Sequence, residues 1–89
     1  MTWAIEFTNT ALRQLAKLDH VAQRRIWKFL NERLAPLEDP RKSCEALHGE
    51  RYGEFWRYRV GDYRLRARIE EDRLVVLVLR VGHRREVYR

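Results

Sequence analysis

The amino-acid sequence predicts a small α+β fold in the order β-α-α-β-β-β, with a helix hairpin packed on one face of a mainly antiparallel four-stranded sheet. Three observations predict it. Two segments in the first half carry apolar residues at helical spacing. Two segments flanking Gly61-Asp62 alternate at period two, and Leu74 to Val81 is apolar on both sides, as a central strand is. At 89 residues the chain reads as a single domain over 1–89 with a thin core.

Taken in order, Trp3, Ile5 and Phe7 share one side of a half-buried first strand. Thr8, Asn9 and Thr10 are N-cap candidates for a helix whose Ala11, Leu12, Leu15, Ala16 and Leu18 recur at helical spacing, with Arg13, Gln14 and Lys17 opposite. Asp19 caps a second helix with the stripe Ala22, Ile26, Phe29, Leu30 and Leu34. Arg24, Arg25, Lys28 and Arg33 lie largely off that stripe, and Pro36 and Pro40 end it. Glu38 to Gly53 holds turn formers and little periodicity and reads as a long loop.

Phe55 to Val60 and Tyr63 to Ile69 alternate strictly about Gly61-Asp62. Glycine in the first position of a two-residue loop fits a type II′ hairpin turn, because that position needs positive φ. The turn sets the register: Val60 faces Tyr63, Arg59 faces Arg64, Tyr58 faces Leu65, Arg57 faces Arg66 and Trp56 faces Ala67. Trp56, Tyr58, Val60, Tyr63, Leu65, Ala67 and Ile69 then pack on the helices. Glu70 to Arg73 makes a second turn into the central strand.

Charge narrows the function. Nineteen Lys and Arg against thirteen Asp and Glu give +6, and the excess is uneven: residues 1–50 hold eight basic and seven acidic side chains, residues 51–89 eleven basic, all arginine, and six acidic. A polyanionic partner fits this balance, as does a basic surface evolved for solubility. The longest apolar run, Leu74 to Leu79, is far short of the ~20 residues of a membrane span. The N-terminal stretch has no long apolar core of a signal peptide. With Cys44 as the one cysteine, no internal disulfide can form, and a reducing, cytoplasmic setting without membrane attachment is expected.

Arg57, Arg59, Arg64, Arg66 and Arg68 share the sheet face away from the helices, two pairs of them directly opposed. Like charges at facing positions repel, and a face shaped only by solvation would carry Glu or Asp opposite Arg. Guanidinium groups bind phosphate oxygens bidentately and stay charged at physiological pH. Beyond the central strand, Gly82 is expected to bend the chain and swing His83, Arg84 and Tyr88 toward the edge of this face. His83 would add an imidazole able to exchange a proton near neutral pH, and Tyr88 an aromatic plate and a phenol. No nucleophilic triad, metal-ligand spacing or glycine-rich phosphate loop is present, and His20, His48 and Cys44 are isolated, so neither metal nor cofactor is expected. The set suits RNA cleavage by attack of a 2′-hydroxyl on the adjacent phosphorus. DNA lacks that hydroxyl.

The stretches Trp56-Arg57-Tyr58-Arg59-Val60-Gly61-Asp62-Tyr63-Arg64-Leu65 and Leu77-Val78-Leu79-Arg80-Val81-Gly82-His83-Arg84-Arg85-Glu86-Val87-Tyr88, with Ala46-Leu47-His48-Gly49 before them, resemble the RelE toxins of type II toxin–antitoxin systems, within the RelE/ParE superfamily. The resemblance implies a ribosome-dependent endoribonuclease that cuts mRNA in the decoding site and is silenced by a cognate antitoxin. It also implies catalytic positions at Arg57, Arg59, Arg64, Arg84 and Tyr88. Relatives often carry lysine at the positions of Arg57 and Arg59. Arginine cannot serve as general base there, because it does not deprotonate in proteins, which leaves proton transfer to His83 or Tyr88. Arg66, Arg68, Arg85, Lys17, Arg24, Arg25 and Lys28 are the further RNA-contact candidates. Val75, Leu77 and Leu79 are expected beside the arginines, an apolar margin suited to an amphipathic, acidic antitoxin segment. Two rivals share the scaffold: a ParE-like inhibitor of DNA gyrase that cuts nothing, and a catalytically silent RNA-binding module.

Overall fold

The structure is a computed structural model that describes residues 2–43, 46, 47 and 55–83. Strand β1 (Ala4–Phe7) leads through Thr8 into helix α1 (Asn9–Ala16), and Asp19 opens helix α2 (His20–Lys28). Both caps act through their side chains. The Thr8 hydroxyl accepts from the Ala11 N–H at 3.1 Å and the Asp19 carboxylate from the Ala22 N–H at 2.8 Å. Each satisfies an amide that the first helical turn leaves without a partner. Helix α2 runs on into one π-helical stretch, Phe29–Leu34, whose Phe29, Leu30 and Leu34 are buried with Ala22 and Ile26.

The sheet has the order β1-β5-β4-β3-β2. Its four long strands are β1, β3 (Trp56–Val60), β4 (Tyr63–Glu70) and β5 (Val75–His83). β1 runs parallel to β5, and the remaining pairs are antiparallel. Within the expected loop, Pro40–Lys42 forms a 3₁₀ turn and Ala46–Leu47 a two-residue edge strand, β2, paired to Tyr58 and Arg57. Strands this short carry no periodicity of their own, so only pairing reveals them.

Gly61 has φ of 60° while Asp62 stays at negative φ, as a type II′ turn requires. The five expected pairs from Val60/Tyr63 to Trp56/Ala67 all form. The following turn lies one residue later than expected, because Glu70 still pairs with Val75. Leu74 closes it at φ 52°, with its carbonyl accepting from the Ala4 N–H at 2.9 Å.

The core lies between the helices and one sheet face, with Ile26, Leu30, Leu34, Tyr58, Leu65, Val76, Val78 and Val81 fully buried. Burying one such aliphatic side chain stabilises by about 1.5–3 kcal/mol. Tyr58 enters this core because its hydroxyl donates to the Pro40 carbonyl at 2.9 Å, which also fastens the 3₁₀ turn over the sheet. Leu12 departs from its expected place in the stripe and is 48% exposed, and Ala16 is exposed as well. Ala11, at the next position round the short helix, takes the inward-facing place. No described helix is long and apolar enough to cross a membrane.

Candidate nucleic-acid interface

The hairpin register places the expected arginines in rows across one face. Arg59 opposes Arg64, and Arg57 opposes Arg66. Counted outward from the two-residue turn, both pairs occupy non-hydrogen-bonded positions, where facing Cα atoms come within about 4.5 Å. The next row toward the far end of β4 holds Arg68 opposite Leu77, which in turn lies beside Glu6 of β1.

Strict alternation fails in β5 and adds a cation that the sequence pattern missed. A register shift falls between Arg66 and Ala67: Ala67 pairs with Val78 and Arg66 with Arg80, which leaves Leu79 as an extra residue. This β-bulge turns Arg80, otherwise on the core side, onto the arginine face, while Val81 returns to the core opposite Leu65. An arginine at a core-parity position in an otherwise apolar strand was the available signal. Helix α1 secures the bulge. Thr8 Oγ1 donates to the Leu79 carbonyl at 3.0 Å and Gln14 Oε1 accepts from the Val81 N–H at 2.8 Å.

Glu6 and Glu70, the carboxylates at the far end of the face, are engaged elsewhere, while Glu32 lines the groove beside Arg59. Arg41 bridges Asp39 and Glu71, and Arg73 bridges Glu6 and Glu70. Among the described residues no ion pair ties a carboxylate to Arg59, Arg64, Arg66, Arg68 or Arg80. Arg66 and Arg68 instead hold their guanidiniums 5.8 and 5.9 Å from the centre of the Phe55 ring, a cation–π contact to both. Arg64 folds back on the turn, where Nη1 donates to the Gly61 and Tyr63 carbonyls at 3.0 Å each, and its Nε is buried with no hydrogen-bond partner. Arg57 is half-buried and Arg59 exposed.

A groove of roughly 500 Å³ extends the face from Arg59 toward the helices, lined by Arg25, Lys28, Arg33 and Gly61 and by one carboxylate, Glu32. The Arg25 guanidinium lies so close over Gly61 that a Cβ there would meet its Cζ at 2.9 Å. The structure thus brings Arg25 and Lys28 to Arg59 and adds Arg33. Lys17 and Arg24 are exposed on the helices and do not line this groove.

Two expectations are corrected. Gly82 does not bend the chain: it stays within β5, pairs with Arg64, and leaves His83 opposite Tyr63 on the helix side of the sheet. There the His83 and Tyr63 rings meet edge to face at 6.1 Å. Alternation across the Gly82–Arg64 pair is the physical reason. Val75 is only 3% exposed, so the apolar margin reduces to half-buried Leu77 and Leu79. Arg84, Arg85 and Tyr88, and also Cys44 and His48, lie outside the described residues. Among the described residues no cluster of three or more His, Cys, Asp or Glu side chains is placed to hold a metal ion.

Comparison with known proteins agrees with this architecture. Residues 5–88 match the family model described as ParE toxin of type II toxin-antitoxin system, parDE. A Mycobacterium tuberculosis protein described as Toxin RelG is 35% identical over 89 residues, covering 100% of this chain and 99% of its own length. Among solved structures, the RelBE2 toxin–antitoxin complex of Mycobacterium tuberculosis contains a chain that superposes with a TM-score of 0.78 at 30% identity, over 94% of this chain and 93% of that one. In the intact E. coli RelBE toxin–antitoxin complex the values are 0.71 and 26%, over 91% and 95%. With its helix hairpin, mixed sheet and near-complete coverage by these relatives, the chain belongs to the RelE/ParE family of type II toxin–antitoxin toxins.

Proposed function

We propose that this toxin is a ribosome-dependent endoribonuclease that cuts mRNA in the decoding site and so arrests translation. The observation that carries the reading is the grouping of arginines on one sheet face, with Glu6 and Glu70 paired to Arg73 instead. In the proposed reaction the substrate's 2′-oxygen loses its proton and attacks the adjacent phosphorus. The bond to the 5′-oxygen breaks, leaving a 2′,3′-cyclic phosphate, and the departing oxygen takes up a proton. Arg59 and Arg64 stabilise the charge that builds on the phosphorane oxygens. Arg57 adds to the field from the next row. None of these side chains can remove the proton. That step falls to Tyr88 of the terminal motif, with Arg84 of the same motif adding positive charge; His83, on the helix side of the sheet, is not placed for it.

Arg25 and Lys28 would extend the contact to structured RNA through the groove beside Arg59, with Lys17, Arg24 and Arg85 as outlying contacts. The cognate antitoxin would present an acidic segment to the same face. The ParE description of the matching family favours a second reading, a gyrase inhibitor without nuclease activity. Primer extension on translated mRNA after brief induction separates the two. Codon-phased cuts support the nuclease, and intact mRNA with arrested replication supports the gyrase reading. Intact mRNA with normal replication leaves a silent RNA-binding module.

A further inference from the structure

We infer that Arg80, carried onto the basic face by the bulge at Leu79, forms with Arg66 a second phosphate subsite next to the one at Arg59 and Arg64; the inference rests on the proposed RNA-binding role of that face. The spacing supports it. Arg64 and Arg66 are two residues apart on one side of β4, which separates their Cα atoms by about 6.8 Å. One nucleotide of an extended strand spans a comparable distance. Successive rows can therefore hold successive phosphates.

Arg80 stands opposite Arg66, is exposed, and makes no hydrogen bond or ion pair among the described residues. Arg66 is steadied by the Phe55 ring. Two arginines opposed across neighbouring strands offer forked donors that one phosphate can accept from together. The bulge that places Arg80 is built in, because Thr8 and Gln14 satisfy the backbone groups on either side of it. The track ends at the Arg68 row, whose β1 position is Glu6, and Glu70 takes the row beyond.

The test is equilibrium binding of a short, fluorescent, single-stranded 2′-O-methyl oligoribonucleotide, which cannot be cut, measured across salt concentration. Arg80→Gln is expected to weaken binding about tenfold and to flatten the log–log salt slope by about 0.7, the loss of one phosphate contact. Arg13→Gln, which removes the same charge from helix α1 on the other side of the sheet, should leave the slope unchanged. A neutral methylphosphonate scanned along the oligonucleotide should weaken wild-type binding at two adjacent linkages and Arg80→Gln at only one. Unchanged slope and affinity in Arg80→Gln, or equal losses in Arg13→Gln, overturn the subsite. A protein that leaves mRNA intact yet shows the Arg80 effect would refute the nuclease reading alone, and one that cuts mRNA without that effect would refute the subsite alone.

Discussion

The Thr8 hydroxyl links two structures at once, accepting from the Ala11 N–H at the start of α1 and donating to the Leu79 carbonyl at the bulge, at 3.1 and 3.0 Å. One small side chain therefore couples the helix N-terminus to the placement of Arg80. Thr8→Ala is expected to lower unfolding free energy by about 1–2 kcal/mol in urea titration, while Thr8→Ser, which keeps both bonds, stays near wild type. Equal stability of all three proteins would show that the cap is idle.

Tyr58 gives the fold a pH dependence. Burial, followed by the nearby Asp39 carboxylate, holds its phenol pKa well above the ordinary value. An unfolded tyrosine ionises near pH ~10, so above that pH the folded protein binds more protons than the unfolded chain. Stability must then fall as pH rises. Tyr58→Phe should show a shallower decline between about pH 9 and 11, alongside a loss of roughly 1 kcal/mol at neutral pH from the bond to Pro40. Parallel pH profiles for the two proteins would contradict this.

The hairpin turn depends on glycine. At φ 60° any L side chain is strained at Gly61, and a Cβ would also displace Arg25. Gly61→Ala is expected to cost about 1–2 kcal/mol, and Gly61→Asn less, since asparagine tolerates positive φ. Thermal unfolding of the two variants checks the order, and an Asn variant as unstable as the Ala variant would reverse it.

Crowding of like charges predicts that this fold is stabilised by salt. Raising ionic strength from low to moderate should increase unfolding free energy, because screening relieves repulsion within the rows. Arg66→Thr should stabilise the protein at low salt by about 0.2–1 kcal/mol and reduce the salt effect. Inorganic phosphate should stabilise wild type more than chloride at equal ionic strength. Destabilisation by Arg66→Thr would mean that the row is held by attractive contacts instead.

Much of this architecture was legible because it is locally encoded. Asp19 and Thr8 are caps by chemistry, and Gly61 alone fixes turn type, register and therefore the opposed arginine pairs. What was hidden depends on partners distant in sequence. Nothing in Trp3 to Phe7 says that its strand will lie parallel to Val75–Val78. The bulge exists because Thr8 and Gln14 meet β5 from 67 residues away or more, and with it came Arg80. A bend at Gly82 would carry His83 to the arginine face, whereas the paired glycine continues the strand and its alternation.

Whether the arginine face cuts RNA is decided by single-turnover mRNA cleavage on programmed ribosomes by wild type and Arg64→Ala, with folding of both verified by circular dichroism. Wild type is expected to make codon-phased cuts and Arg64→Ala to lose about 10²–10³ in rate, the usual effect of removing one group that stabilises developing negative charge. A folded Arg64→Ala protein that cuts at the wild-type rate, or that still arrests growth while mRNA stays intact, would contradict this role.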